Sequence, residues 1–443
     1  MNVNYNMNLY KAGNTKKIKN SQKKYTILSN VLISVFCFLL ITSCEKPQKP
    51  EQITLKVAMA KIGNEQKKVW AQIAADFEIK NRQITVQYLG MDKDHYETSG
   101  LISMLLYENP DIYFEWGGER VALRMKEGHA SDLTEELNKG DWKKRFLKGS
   151  WDGLLVSGKV FMIPFSNQVS SVIWYNKTIF QKYGITPPAN WDQFEIVCEK
   201  LKKSGIIPLY MGNKDLWPAG NIMGHLVSRI VGEREYKKAL KLKRKFNRPD
   251  FIEAFRYIQS FWNKGYINKD VNGNTSDEGT INWIKGKGAM HALGSWVVEI
   301  IQDESSKEFE YDFFNLPAIP GKKGDQTSIL GLNIGFIINA KTKHFDESVK
   351  FLRYITSPEI AGLFNTEGDL ISIKGSSPKN VHPMTHKITQ FTNTTSTIVA
   401  PPDTDFDLKT SDAFYIAVSK VLGGVSTPEE ALEELDQKLQ IEE

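Results

Sequence analysis

The residues with the most chemical promise follow short apolar runs. After Ile112-Tyr113-Phe114 come Glu115, Trp116, two glycines, Glu119 and Arg120; after Ile206-Ile207-Pro208-Leu209 come Asp215 and Trp217. Acids, a guanidinium and indoles thus stand at the carboxyl ends of strands, where ligands sit in open α/β sheets. Asn167 and Gln168 add amides that donate and accept at once, as vicinal hydroxyls require. The plainer alternative is a solvated loop with one packing tryptophan. Glu115, Glu119 and Asp215 also offer a pair for glycoside hydrolysis, which needs two carboxyls about 5 to 9.5 Å apart. Sequence does not measure that distance.

Other chemistries find no support. The chain has no Gly-rich phosphate loop, no GxSxG elbow and no HExxH. His382 and His386 are four apart, but Pro383 between them argues against a helix that would aim both at one metal. Asp270 to Asp277 starts like an EF-hand loop, yet its sixth position is Thr275 and its twelfth is Ile281, where glycine and an acid are needed. No metal and no cofactor is expected.

The elements that position these residues read as α/β. Thr54 to Met59 alternates like a strand, Gln66 to Lys80 has helical spacing at Val69, Ile73 and Phe77, and Ile84 to Leu89 alternates again, a β-α-β opening with a parallel pair. Ser99 to Tyr107 is a second amphipathic helix, stopped by Asn109-Pro110-Asp111. The strand after it ends at Trp116-Gly117-Gly118, and in open α/β sheets ligands sit at the carboxyl ends of strands.

Val169 to Tyr175 is a β-branched run that suits a buried strand. Asn190 is placed to cap a helix carrying Trp191, Phe194, Val197, Cys198 and Leu201 on one face. Tyr175 and Trp191 read as packing groups. The basic run Arg229 to Arg248 has helical spacing and reads as a solvated face.

Residues 1–43 carry six lysines and no acid, and they lead into the apolar stretch Val31 to Ile41, the pattern of a signal peptide. That stretch is shorter than the roughly 20 residues a spanning helix needs. Of the chain's 57 basic residues these six are removed with the signal, leaving 51 against 52 acidic. The remaining charge gives no reason to expect nucleic acid as a partner. Of three cysteines, Cys37 falls in the signal and Cys198 on a helix face, so no disulfide framework is expected. Beyond a short tether, 44–52, about 390 residues remain, enough for two domains.

Five stretches carry a resemblance. They are Leu40-Ile41-Thr42-Ser43-Cys44; Pro110-Asp111-Ile112 through Phe114, Trp116, Glu119 and Arg120, with one extra residue in the loop; Tyr175-Asn176-Lys177 with Gly184-Ile185 through Trp191-Asp192; Ile281 to Trp296 around Gly286-Lys287-Gly288-Ala289-Met290; and Ser411 to Leu432. The first resembles the bacterial lipobox, which implies a lipid on Cys44. The others resemble the extracellular solute-binding proteins of bacterial ABC importers, in the carbohydrate-binding family that includes maltose-binding protein.

That resemblance implies a two-lobed α/β fold whose lobes are joined by crossing segments. It places 53–163 and 330–375 in the N-terminal lobe, and 164–329 and 376–443 in the C-terminal one, with Gly158 to Pro164 as a crossing strand. It implies sugar contacts from Trp116, Glu119, Arg120, Gln168, Asp215, Trp217 and Trp296. Glu115 competes with Glu119 for the acid's place, and Tyr415 or Phe414 supplies a further stacking face. The partners it implies are a carbohydrate, an ABC permease and, through the lipid, the outer face of a membrane; a monomer is expected. The alternative is an exported, lipid-anchored glycoside-processing enzyme.

Overall fold

Strict alternation shapes the first strand, β1 (Ile53–Ala60). Its Leu55, Val57 and Met59 enter one apolar core and Ala58 enters another on the opposite face, because successive strand residues point to opposite sides. The computed structural model describes residues 52–60, 64–91, 96–151, 154–241, 244–305, 309–364, 370–376, 382–392, 394 and 397–440. The expected signal peptide and Cys44 lie outside the described residues, as does the tether apart from Gln52.

A helix, Asn64–Lys80, returns the chain to β2 (Ile84–Met91), which pairs with β1 in parallel as expected. The next segment, Tyr96 to Glu108, is helical but broken into π and α turns, and it ends at Asn109, which adopts φ 46°. There follow β3 (Ile112–Trp116), a small hairpin of β4 (Leu155–Val156) and β5 (Lys159–Val160), and then β6 (Ile163–Asn176). The remaining strands are β7 (Ile207–Leu209), β8 (Gly288–Leu293), β9 (Tyr311–Phe314), β10 (Ile329–Ile338), β11 (Leu370–Ile371) and β12 (Ile398–Val399). They join one sheet in the order β2-β1-β3-β10-β6-β8-β7, with β9 and β11 paired to β6 and β12 to β10.

β6 organises the molecule. Its 14 residues span about 46 Å, long enough to serve two halves of the sheet. Ile163 to Ser171 pair antiparallel with β10, while Val172 to Asn176 pair with β8 and β9. The sequence suggested a crossing strand at Gly158 to Pro164 and a separate strand from Val169. Instead Gly158 turns the small hairpin at φ +79°, and the crossing and the buried run are one strand. Two cores line the faces of the β1, β3 and β10 end, and a third, containing Val172, Trp174 and Leu293, packs around the other end.

The helix Trp191–Lys203 forms as its spacing predicts. Asn190 Oδ1 accepts from the Gln193 N–H at 3.0 Å, and Trp191, Phe194, Val197, Cys198 and Leu201 are all buried. Two other expectations are corrected. Arg229 is not on a solvated face: it is fully buried and donates to the carbonyls of Leu316 and Ser328. Burial lowers its guanidinium to about 10, with Asp325 opposing the shift. Pro383 does not prevent a helix but starts one, Pro383–Thr392, because proline's missing N–H costs nothing in a first turn. His382 therefore precedes the helix, and its Nδ1 accepts from the Met384 N–H.

The EF-hand-like segment has a local job. Thr275 caps the helix Ser276–Ile284 in a reciprocal capping box with Glu278.

Candidate ligand-binding site

Four groups of residues meet around an open pocket beside the β6–β10 crossing. The first is the end of β3. Trp116 is held edge-on against Phe114, ring centres 5.0 Å apart at 81°. The chain then turns sharply: the Gly117 N–H donates to the Asn333 carbonyl at 3.0 Å, and a Cβ on Gly117 would lie 2.7 Å from that oxygen. Only glycine fits so close an approach.

The second segment is the crossing itself. Gln168 on β6 and Leu332 on β10 are register partners, and both line the cavity with Ser170, two residues along the same strand face. The third comprises Trp217 and Asn221, one turn apart on the helix Trp217–Val231, and Trp296, which follows β8. The Trp217 and Trp296 rings lie 5.7 Å apart at 54°, forming an apolar corner. Gly294 makes room for it, since a Cβ there would fall 2.0 Å from the Trp296 ring. Pro401, Asp403 and Thr404 form the fourth wall.

Of the expected site residues, Trp116, Gln168, Trp217 and Trp296 are brought together on this wall. Arg120, Glu119, Asp215 and Tyr415 are not on it. Arg120 is buried behind Trp116, its guanidinium 5.2 Å from the ring centre, and its Nε donates to the Asp403 carbonyl at 3.0 Å. Glu119 is exposed in the first turn of the helix Glu119–Lys126. Asp215 accepts from the Ser276 N–H at 2.7 Å, so it holds the start of the next helix.

Tyr415 lies beneath the wall rather than on it. Its hydroxyl donates to Asn221 Oδ1 at 2.8 Å and accepts from the Asp403 N–H at 3.1 Å, fixing two wall residues at once. Phe414 packs in the core against Phe246 and Phe255. Glu115, the competing acid, is fully buried and accepts from Arg124 Nε at 2.7 Å. Burial opposes the charge on Arg124, but Glu115 and Glu127 more than compensate and raise it above its ordinary value.

Asn167 donates to Asn333 Oδ1 at 3.3 Å, an inter-strand tie.

Sequence reasoning missed Asn221, Ser170 and the 401–404 segment. Asn221 stands four residues after Trp217 and Ser170 two after Gln168, so helix and strand periods pointed to them once their partners were chosen. Pro401-Pro402-Asp403 carried a turn signal. Buried wall atoms that make no hydrogen bond within the protein include Ser170 Oγ and Asp403 Oδ1. Buried polar groups are ordinarily satisfied, so these two mark where a ligand's polar groups fit.

A two-lobed sheet joined by long crossing strands, with a cavity of tryptophans and unsatisfied acceptors beside the crossing, defines a solute-binding protein. Residues 63–362 match the model of the bacterial extracellular solute-binding protein family, and the chain belongs to that family. It is 28% identical over 281 residues to an uncharacterized ABC transporter extracellular-binding protein of Pyrococcus horikoshii, covering 62% of this chain and 59% of that protein. The chain thus spans less than two thirds of that relative's length. It is 25% identical over 330 residues to the multiple sugar-binding protein of Streptococcus mutans, covering 67% of this chain and 77% of that one. A solved structure described with xylan utilization by the thermophilic bacterium Caldanaerobius polysaccharolyticus is similar over 87% of this chain and all of that chain, with a TM-score of 0.81 and 25% identity.

Proposed function

We propose that this protein captures a carbohydrate, a sugar or oligosaccharide, between its lobes and delivers it to an ABC permease. The observation that carries this reading is the composition of one wall: the Trp217–Trp296 corner beside the unsatisfied Asp403 Oδ1 and Ser170 Oγ. Indole faces cover the C–H surface of a pyranose, while the acceptors take its hydroxyl protons in a partly dry cleft. Sugar binding by the Streptococcus mutans relative and the xylan setting of the structural neighbour support it.

Closure follows from linkage. A ligand touching both β3 and the second lobe stabilises the state in which the two are close. The lobes are 53–163 with 330–375, and 164–329 with 376–443, and the family supports an exported protein facing the periplasm or exterior. Cys44 carries the lipid that tethers it there. Binding is favoured over hydrolysis because Asp403 is the one carboxylate on the described wall, and hydrolysis needs two.

Anchor-free protein should be incubated with mono- and oligosaccharides while thermal unfolding and product formation are followed. A raised unfolding temperature without new products is the expected result. Released products sink the binding reading, and no shift with any carbohydrate removes its substrate class.

A further inference from the structure

We propose that Asp403 makes the cleft selective for uncharged or amino sugars against sugars bearing a carboxylate. This rests on the carbohydrate reading above and adds the charge of the ligand to it.

The argument starts from what the wall contains. Asp403 is 8% exposed, and its Oδ1 faces no donor of the protein. An ionised carboxylate can only accept, so the ligand must bring a donor: a hydroxyl or an ammonium. No lysine or arginine lines the cavity among the described residues. Arg120 pairs with Asp403 from behind the wall: its Nε donates to the Asp403 carbonyl, its terminal nitrogen lies 4.0 Å from Oδ2, and its face covers Trp116.

A ligand carboxylate entering this cavity would therefore meet a like charge with its hydration partly stripped, and such juxtapositions are strongly unfavourable.

Asp403 is also rigidly placed. Tyr415 accepts from its N–H and Arg120 donates to its carbonyl, so the backbone that carries the side chain is held in place. A hydroxyl would complete the hydrogen bonding of Oδ1; a carboxylate would bring it no donor and would add a second negative charge beside it.

Matched probes test this: galactose with galacturonate and galactosamine, cellobiose with cellobiouronate, and galactobiose with digalacturonate, titrated calorimetrically against anchor-free protein. The neutral or amino member of a binding pair should bind about tenfold or more tightly than its acid. In Asp403→Asn both affinities change, but the neutral-to-acid ratio should collapse toward one, because the amide offers a donor and carries no charge. A purely structural defect would lower both members and leave the ratio intact.

Acid binding as tight as neutral in the wild type overturns the proposal, whatever the variant does. An unchanged ratio in Asp403→Asn, or in Asp403→Ser should the first variant fail to fold, overturns the assignment to Asp403. No response to any probe is a different failure: it removes the carbohydrate reading, and this inference falls with it.

Discussion

Arg120 and Asp403 join two separate cores. Arg120 Nε donates to the Asp403 carbonyl at 3.0 Å, and the two side chains approach to 4.0 Å. Val121, next to Arg120, packs in the core behind β3, whereas Val399 and Phe406 on either side of Asp403 pack in the core of the second lobe. The contact therefore spans the edge of the cavity rather than entering it. Arg120→Ala should favour separation of the lobes and weaken carbohydrate binding by about tenfold, the scale of one charge-assisted hydrogen bond. Arg120→Lys should restore only part of this, because an ammonium cannot reproduce the planar contact with Trp116. Small-angle scattering of the free variants and calorimetric titration check both effects; unchanged scattering and affinity in Arg120→Ala would remove the contact from the closing mechanism.

Trp296 should be the largest single contributor to stacking. Its ring is half-buried, packs on Trp217 at 5.7 Å and lies against the space left by Gly294. Trp296→Ala should abolish measurable carbohydrate binding, while the far-UV circular dichroism and cooperative unfolding of the protein remain. Gly294→Val is a subtler version: the added side chain displaces the ring without removing it, so affinity falls with the tryptophan still present. A folded Trp296→Ala protein that binds normally takes Trp296 out of the site.

Much of this fold was legible because its elements obey local rules. The cap at Asn190, the apolar face from Trp191 to Leu201 and the parallel β1–β2 pair all follow from spacing alone. The continuity of β6 was not legible, because nothing local distinguishes a strand that changes partners at Val172 from two strands. The site divided the same way. Trp116, Trp217 and Trp296 are tryptophans next to sheet or helix ends and were visible as such. Asp403 and Asn221 became site residues only through Tyr415, which lies 194 residues from one of its partners. Arg229 was misread because a basic run predicts exposure, while its three acceptors are His225 Nε2, one turn back on the same helix, and the Leu316 and Ser328 carbonyls, whose position depends on where residues 316 to 328 fold back.

Tyr415→Phe tests the support beneath the wall. The substitution keeps the ring that packs on Gly220 and removes only the hydroxyl shared by Asn221 and Asp403. Each lost hydrogen bond is worth about 1 kcal/mol, so affinity should fall about five- to thirtyfold with a modest loss of stability. Titration of the variant beside its denaturant unfolding curve separates the two. Equal affinity would mean that Asn221 and Asp403 hold their places without it.

The protein should also lose stability on mild acidification, and His291 is a principal reason. It is fully buried between the Tyr210 carbonyl, 2.8 Å from Nδ1, and Thr280 Oγ1, 3.0 Å from Nε2, and it stacks on Trp283 at 5.4 Å. Burial lowers its imidazole to about 4, the Tyr210 carbonyl only partly opposing this. In the unfolded chain a histidine titrates near its ordinary value of about 6.5. Between those two values the unfolded state binds a proton that the folded state refuses. Stability from this group is therefore fully present above about pH 6.5 and is lost as pH falls toward 4, by up to about 3 kcal/mol. His225, pushed down by burial and by Arg229, acts in the same direction. Unfolding temperatures measured from pH 7.5 to 4 should decline over this window, ahead of the loss expected from carboxylates. His291→Gln, which cannot take up the proton, should start lower at pH 7.5 but fall less steeply, so the two curves converge on acidification. Parallel curves would show that His291 contributes nothing to the acid response.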